Sequence, residues 1–167
     1  TVTRNLAEAM QSHGLSNPNY RVIANVVAAD FFLSGRARKQ DSSRKKLIHV
    51  SCFEDKSKNI SGLLRGIKSL SLTRTDFQLT LVGEGMDLEK MKSYAEKLEI
   101  DKDTISFTGL LEGKDLVREM VNADLMIVFS NYENFPVVIN ESFALGVPVL
   151  ATRVGGIPEY LNKYNGR

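Results

Sequence analysis

The stretch Phe77–Gly109, FQLTLVGEGMDLEKMKSYAEKLEIDKDTISFTG, decides the fold. It holds two β-branched, apolar runs of strand length, FQLTLVG and ISFTG, with a helical pattern from Leu88 to Leu98 between them. A strand, a helix and a second strand in so short a span form one βαβ unit, whose strands are parallel. The rhythm continues on both sides. The runs LIHVSCF, LMIVFS and VPVLAT read as further strands, and helical patterns cover Ile60 to Leu70, Asp115 to Val121 and Pro136 to Leu145, with Gly146 placed to end the last. Buried strands alternating with helices predict an α/β fold: a doubly wound, Rossmann-like parallel sheet with helices on both faces. Ligands of such sheets bind beyond the carboxyl ends of the strands. The loops that matter are therefore 51–59, 83–87, 109–114, 130–136 and 152–157.

Ahead of this rhythm, TVTRNLAEAMQSHG reads as a helix with Thr3 as N-cap and Gly14 as its stop. YRVIANVV reads as a short strand. RARKQDSSRKK (Arg36 to Lys46) then carries six basic residues and one acid, although the whole chain is only +2. Having no apolar residue beyond Ala37, it reads as a solvated connecting loop, with membrane-surface contact as the alternative.

The 167 residues suit one well-buried domain, and 43% apolar with 25% charged residues is the balance of an ordinary globular protein. The longest apolar run, VIANVVAADFF, is shorter than the roughly 20 residues of a membrane span and is broken by Asn25 and Asp30. No export leader is read. Cys52 is the single cysteine, which excludes an internal disulfide and fits a reducing compartment. His13 and His49 lack metal-ligand spacing, so no metal site is expected.

Three loops invite chemistry. Lys56 and Lys58 stand just ahead of a helix that begins near Asn59, where an ammonium and exposed N–H groups suit a phosphate. GEGMDL fails as a dinucleotide fingerprint, because Leu88 occupies the place of the third glycine. Asp101 and Asp103 precede a strand and so lie at the wrong end of the sheet for a shared metal site. The loop after LMIVFS is the richest. Asn134 reads as a helix N-cap with Pro136 in the first turn, and Glu141 lies roughly 7.5 Å along the helix. Glu133 and Glu141 then flank an anion site, as acceptors for a sugar and a ribose would. Spacing alone equally fits two surface glutamates.

The run ENFPVVINESFALGVPVLATRVGGIPE (Glu133 to Glu159) resembles the E-x7-E signature of the retaining glycosyltransferases of group 1, also called family 4. RVIANVVAADFF, KKLIHVSCFEDKSKNI, LTLVGEGMDLEKMKSYAEKL and ISFTGLL resemble further blocks of that family, so the likeness covers most of the chain. It implies the C-terminal, donor-binding half of a GT-B fold. Residues 1–45 would be an interdomain linker segment, and 46–167 a nucleotide-sugar-binding domain cut short at its C-terminus. It further implies retaining transfer of a hexose-type sugar from a UDP- or GDP-sugar, without a metal or other cofactor. By the resemblance Glu133 contacts the donor sugar, and Lys58 neutralises the diphosphate leaving group. Glu141 binds the ribose hydroxyls, the backbone of Asn134, Phe135, Pro136 and Val137 holds sugar and diphosphate, and the base lies near Leu110 and Leu111.

Two departures stand out. Ser51-Cys52 replaces a common Gly-Arg, which removes one cationic diphosphate contact, and Pro136 lacks an N–H where the family commonly has glycine. The alternative is thus a module that binds a nucleotide-sugar without transferring it. The partners expected are the donor, a saccharide or lipid-linked acceptor of a cell-surface polysaccharide or glycolipid, and the protein's own N-terminal domain. No nucleic acid is expected, and the location would be cytoplasmic, with the inner membrane face as a variant.

Overall fold

The computed structural model describes residues 1–33 and 43–162. Most of the basic run, 36–42, and the closing NGR lie outside the described residues. Helix α1 (Arg4–Ser12) leads to the short α2 (Asp30–Leu33). Then follow β1 (Lys45–Val50), α3 (Asp55–Lys58), α4 (Ile60–Ser71), β2 (Phe77–Val82), α5 (Leu88–Lys97), β3 (Ile105–Gly109), α6 (Gly113–Val121), β4 (Leu125–Val128), α7 (Val137–Ala144) and β5 (Val149–Ala151). A 3-10 turn at Ile157–Glu159 comes last. The five strands form one parallel sheet in the order β3-β2-β1-β4-β5. The chain winds outward from β1 through β2 to β3, then crosses back to place β4 on the other side of β1.

Each strand alternates its side chains between two cores, as its period of two requires. On one face Ile48, Met126 and Val128 pack with Val117 and Met120 of α6, Ile139 of α7 and Phe31 of α2. On the other, Leu79, Leu81, Ile105 and Ile127 pack with Ile60, Leu63, Leu64 and Ile67 of α4 and Met91 and Ala95 of α5. Both faces are covered, so the doubly wound reading holds.

Five local expectations are corrected. The segment 20–27 forms no strand. Val22, Ile23 and Val26 are exposed, and among the described residues backbone pairing there is confined to Thr1, which accepts from Ile23 N–H and donates to the Arg21 carbonyl. Its β-branched residues lack a neighbouring ladder. The strand read as 47–53 runs from Lys45 to Val50, and β4 stops at Val128 instead of Ser130, because both chains turn there into the site loops. The lysine loop contains α3, closed by Asn59 in a left-handed conformation (φ 51°) that also starts α4. The N-cap of α7 is Pro136 (φ −69°, ψ 103°), not Asn134, whose side chain accepts from Tyr132 Oη at 2.7 Å. A residue preceding proline is driven out of the helical region, so the helix begins only after Pro136.

Helix α1 matches its expectation. Thr3 Oγ1 accepts from Leu6 N–H at 3.1 Å, and Gly14 (φ 83°) follows the C-terminus. A contact invisible in the local sequence adds a second cap: Arg4 and Asn5 N–H donate to the two oxygens of Glu159 at 3.0 and 2.6 Å. The leading segment is thereby fastened to the loop after β5. Among the described residues no helix is long and apolar enough to cross a membrane.

Candidate functional site

Parallel strands deliver all their C-terminal loops to one end of the sheet. The winding reverses between β1 and β4, and a crevice opens where the loops of those two strands diverge. Lys58, at the end of α3, arrives from the β1 side, and Glu133 from the β4 side. They meet: Lys58 Nζ lies 2.7 Å from Glu133 Oε1, with their side chains 18% and 8% exposed. Ser130 Oγ donates to the same oxygen at 2.7 Å. Among the described residues both of these bonds go to Oε1, and Oε2 of Glu133 receives no protein hydrogen bond.

The loop carrying Glu133 is held from two directions. Asn131 and Tyr132 N–H donate to the Ser57 carbonyl at 2.8 and 3.3 Å, and Asn131 Nδ2 donates to the Lys56 carbonyl at 3.1 Å. From behind, Gly156 N–H donates to the Glu133 carbonyl at 3.2 Å, and Thr152 Oγ1 donates to the Ser130 carbonyl at 2.6 Å. Gly155 and Gly156 approach so closely that a Cβ on either would fall 1.7 Å from the Glu133 oxygen or 2.2 Å from the Asn134 oxygen. The Phe135 ring packs on Tyr160 with centroids 4.8 Å apart. Burial, reinforced by the Glu133 and Glu159 carboxylates, pushes the Tyr160 phenol well above its usual range. No side chain caps the N-terminus of α7. Its first-turn N–H groups therefore lack a side-chain cap.

Beside this constellation lies an open cavity of about 550 Å³, walled by the ends of β1, β2 and β3 and bordered by α2. Ser51, Leu110, Leu111 and Glu141, four of the residues singled out in the sequence, line it together. So do Asp30, Glu84 and Glu112, and among the described residues no lysine or arginine does. The carboxylates among the described lining residues suit a group that donates hydrogen bonds. The cationic counterpart on the same end of the sheet is Lys58. Burial alone pushes the Glu141 carboxyl above the usual range.

His49 is the residue that sequence reasoning passed over. It is 1% exposed, with Nδ1 2.8 Å from the Ile127 carbonyl and Nε2 2.8 Å from Ser51 Oγ. Burial holds its pKa below the ordinary histidine range; the nearby Lys58 charge adds to this, while the Ile127 bond and Glu133 oppose it. The signal in the sequence was a histidine inside the apolar run Leu47–Val50, two residues before a serine at the strand end. Ser130, Gly155, Gly156 and the α2 wall were given no role there, although Gly155, Gly156 and most of α2 lie within the runs that resemble the family. The glycines of GEGMDL serve packing: a Cβ at Gly83 would fall 1.9 Å from the Ser51 carbonyl oxygen. Asp101 and Asp103 lie in the turn before β3, away from the crevice, where Asp103 N–H donates to Asp101 Oδ1 at 2.7 Å. No cluster of three or more histidine, cysteine or acidic side chains fit to hold a metal occurs among the described residues.

With this geometry in place, the likeness to known proteins can be set beside it. The family described as Glycosyl transferases group 1 matches residues 34–166. The N-acetyl-alpha-D-glucosaminyl L-malate synthase of Bacillus anthracis is 37% identical over 120 residues, covering 71% of this chain and 30% of that protein. Among solved structures, WaaG, a glycosyltransferase involved in lipopolysaccharide biosynthesis, superposes with a TM-score of 0.81 at 22% identity, over 96% of this chain and 45% of WaaG. Anabaena Alr3699/HepE, in complex with UDP and glucose, gives a TM-score of 0.75 at 20% identity, over 95% of this chain and 45% of that one. At these identities the solved structures speak for the fold, that of GT-B glycosyltransferases. The chain spans about a third of the length of the curated relatives it matches.

Proposed function

The chain belongs to the group 1 glycosyl transferases, and on that premise we propose that it is the part of a retaining glycosyltransferase that binds the nucleotide-sugar donor. The observation that carries the reading is the meeting of Lys58 and Glu133 at the β1/β4 crevice, beside an acid-walled cavity that holds Glu141. The nucleoside of a UDP- or GDP-sugar occupies the cavity, with its base by the Leu110–Leu111 backbone and its ribose hydroxyls donating to Glu141. The diphosphate lies at the α7 N-terminus, where the N–H groups of Val137 and its successors and the Lys58 ammonium receive it. Pro136, at the N-cap, contributes position and no N–H. The solved relative that holds UDP and glucose supports this donor class.

The barrier to transfer lies in separating a diphosphate from an anomeric carbon of growing oxocarbenium character. Lys58 exchanges Glu133 for the diphosphate and stabilises the charge that develops on it, and the helix N-terminus adds fixed donors. Glu133, with Oε2 unengaged by protein, orients the hexose and offsets the positive charge growing on its ring. Charge on the leaving group is handled by these groups without a metal. The acceptor, a saccharide or lipid-linked sugar, and the domain that holds it complete the enzyme.

Calorimetric titration with UDP and GDP tests the site. Weak binding is expected at millimolar nucleotide, and Glu141→Ala should weaken it more than Asp101→Ala, whose residue lies away from the crevice. Absence of heat with the unmodified chain would overturn the reading, and equal effects of the two variants would move the site to another loop.

A further inference from the structure

We propose that Ser51 recognises the nucleoside as a hydrogen-bond acceptor, with its hydroxyl proton drawn away from the ligand by the buried His49. The inference rests on the nucleotide-sugar reading above and makes His49 a positioning residue for donor selection.

The argument is one of proton placement. The Ile127 carbonyl can only accept, so the nitrogen 2.8 Å from it, Nδ1 of His49, must carry a proton. Two lone pairs facing each other at that distance would be repulsive. The ring is almost wholly buried, and burial disfavours a second proton, so the imidazole is neutral and Nε2 bears a lone pair. Nε2 lies 2.8 Å from Ser51 Oγ and can only accept from it. The hydroxyl hydrogen of Ser51 is thus committed to His49. Among the described residues its oxygen has no second protein partner, and Ser51 lines the cavity. What this serine offers a ligand is lone pairs.

That assignment has a consequence for selectivity. A diphosphate oxygen bears no proton at neutral pH, and facing an acceptor it would be repelled, so Ser51 does not replace a cationic diphosphate contact. A ribose hydroxyl or a base N–H is its complement, in line with the carboxylates of Glu84, Glu112 and Glu141 around the same cavity. A serine elsewhere can rotate its hydroxyl to suit either kind of partner. This one is held to a single role by a side chain that never reaches the ligand.

The test uses whichever of UDP and GDP binds, with its 2′-deoxy, 3′-deoxy and base N-methylated forms, on four proteins: the unmodified chain, Ser51→Ala, His49→Leu and the double variant. One net hydrogen bond corresponds to roughly 2- to 10-fold in affinity. Ser51→Ala should weaken the parent nucleotide by about that factor, and its effect should vanish for the one analogue that lacks the recognised donor. The identity of that analogue says whether ribose or base supplies it. His49→Leu should show the same analogue dependence and add little in the double variant, and His49→Gln, which keeps an acceptor and a donor, should recover part of the loss. Nitrogen NMR of His49 should show the neutral Nδ1–H tautomer. An undiminished affinity in Ser51→Ala, an equal loss on every analogue, or an Nε2–H or doubly protonated ring would overturn the inference while leaving the nucleotide site standing. Failure of the unmodified chain to bind either nucleotide would overturn both.

Discussion

Gly155→Ala probes the packing that holds Glu133 at the crevice, and Gly113→Ala calibrates it. Both glycines have φ +52°; a Cβ at Gly155 would lie 1.7 Å from the Glu133 carbonyl oxygen, whereas one at Gly113 would meet nothing within 4 Å. A left-handed backbone costs an L-residue about 1–2 kcal/mol, and Gly113→Ala should lose about that. Gly155→Ala carries the same cost and a collision with backbone, which has no rotamer by which to retreat. The Glu133 carbonyl has to withdraw by more than about 1 Å in a close-packed interior, and overpacking of this kind adds about 1–3 kcal/mol. At roughly 2–4 °C per kcal/mol for a chain of this size, the melting midpoint should fall by roughly 2–8 °C for Gly113→Ala and by roughly 4–20 °C for Gly155→Ala. Thermal unfolding followed by circular dichroism reads the difference. Nucleotide titration well below the midpoint should then show Gly155→Ala binding poorly, because the displaced backbone carries Glu133. Equal midpoints in the two variants, or Gly155→Ala binding nucleotide as the unmodified chain does, would refute the claim that this contact positions the loop.

Lys58→Met leaves the buried Glu133 carboxylate with Ser130 as its remaining donor among the described residues, and breaking a buried pair from one side costs about 3 kcal/mol. Adding Glu133→Gln removes the stranded charge and should restore more than half of that stability in urea titrations; a double variant no more stable than Lys58→Met would contradict this. Glu141 predicts a pH dependence. Its folded-state pKa is raised by burial above the unfolded value, so its contribution to stability is fully present below the unfolded pKa and is lost as pH rises through the folded one. Nucleotide binding should run the other way, since ribose hydroxyls need the carboxylate. Affinity should rise as pH climbs through the raised pKa, and binding should release protons, read as a buffer-dependent heat that Glu141→Gln abolishes. Proton uptake would mean that Glu141 is not the ribose acceptor.

The order of elements was legible because its causes are local. Runs such as FQLTLVG and LMIVFS have strand length and β-branched content, and the patterns between them repeat with helical spacing, so strand, helix and connection could be read one after another. Where a neighbour decides, the reading slipped. YRVIANVV has strand composition without a ladder partner, and Asn134 has the chemistry of an N-cap but stands two residues before Pro136, which delays the helix. The carboxylates and the lysine of the candidate site were also legible, as residue types at strand ends.

What the sequence by itself determined was the doubly wound class, the end of the sheet at which ligands gather, and Glu133, Glu141 and Lys58 as the groups to inspect. Tertiary structure alone decided that Lys58 reaches Glu133 across 75 residues of chain, that Gly155 presses on the Glu133 carbonyl, and that the cavity is walled by acids drawn from four separate segments. It also decided that His49, weighed in the sequence only as a metal ligand, meets the Ser51 hydroxyl at 2.8 Å. The physical reason is range. Backbone preference and hydrophobic period act over a few residues, whereas desolvation, ion pairing and the direction of a hydroxyl proton depend on atoms that only the folded chain brings within 3 Å.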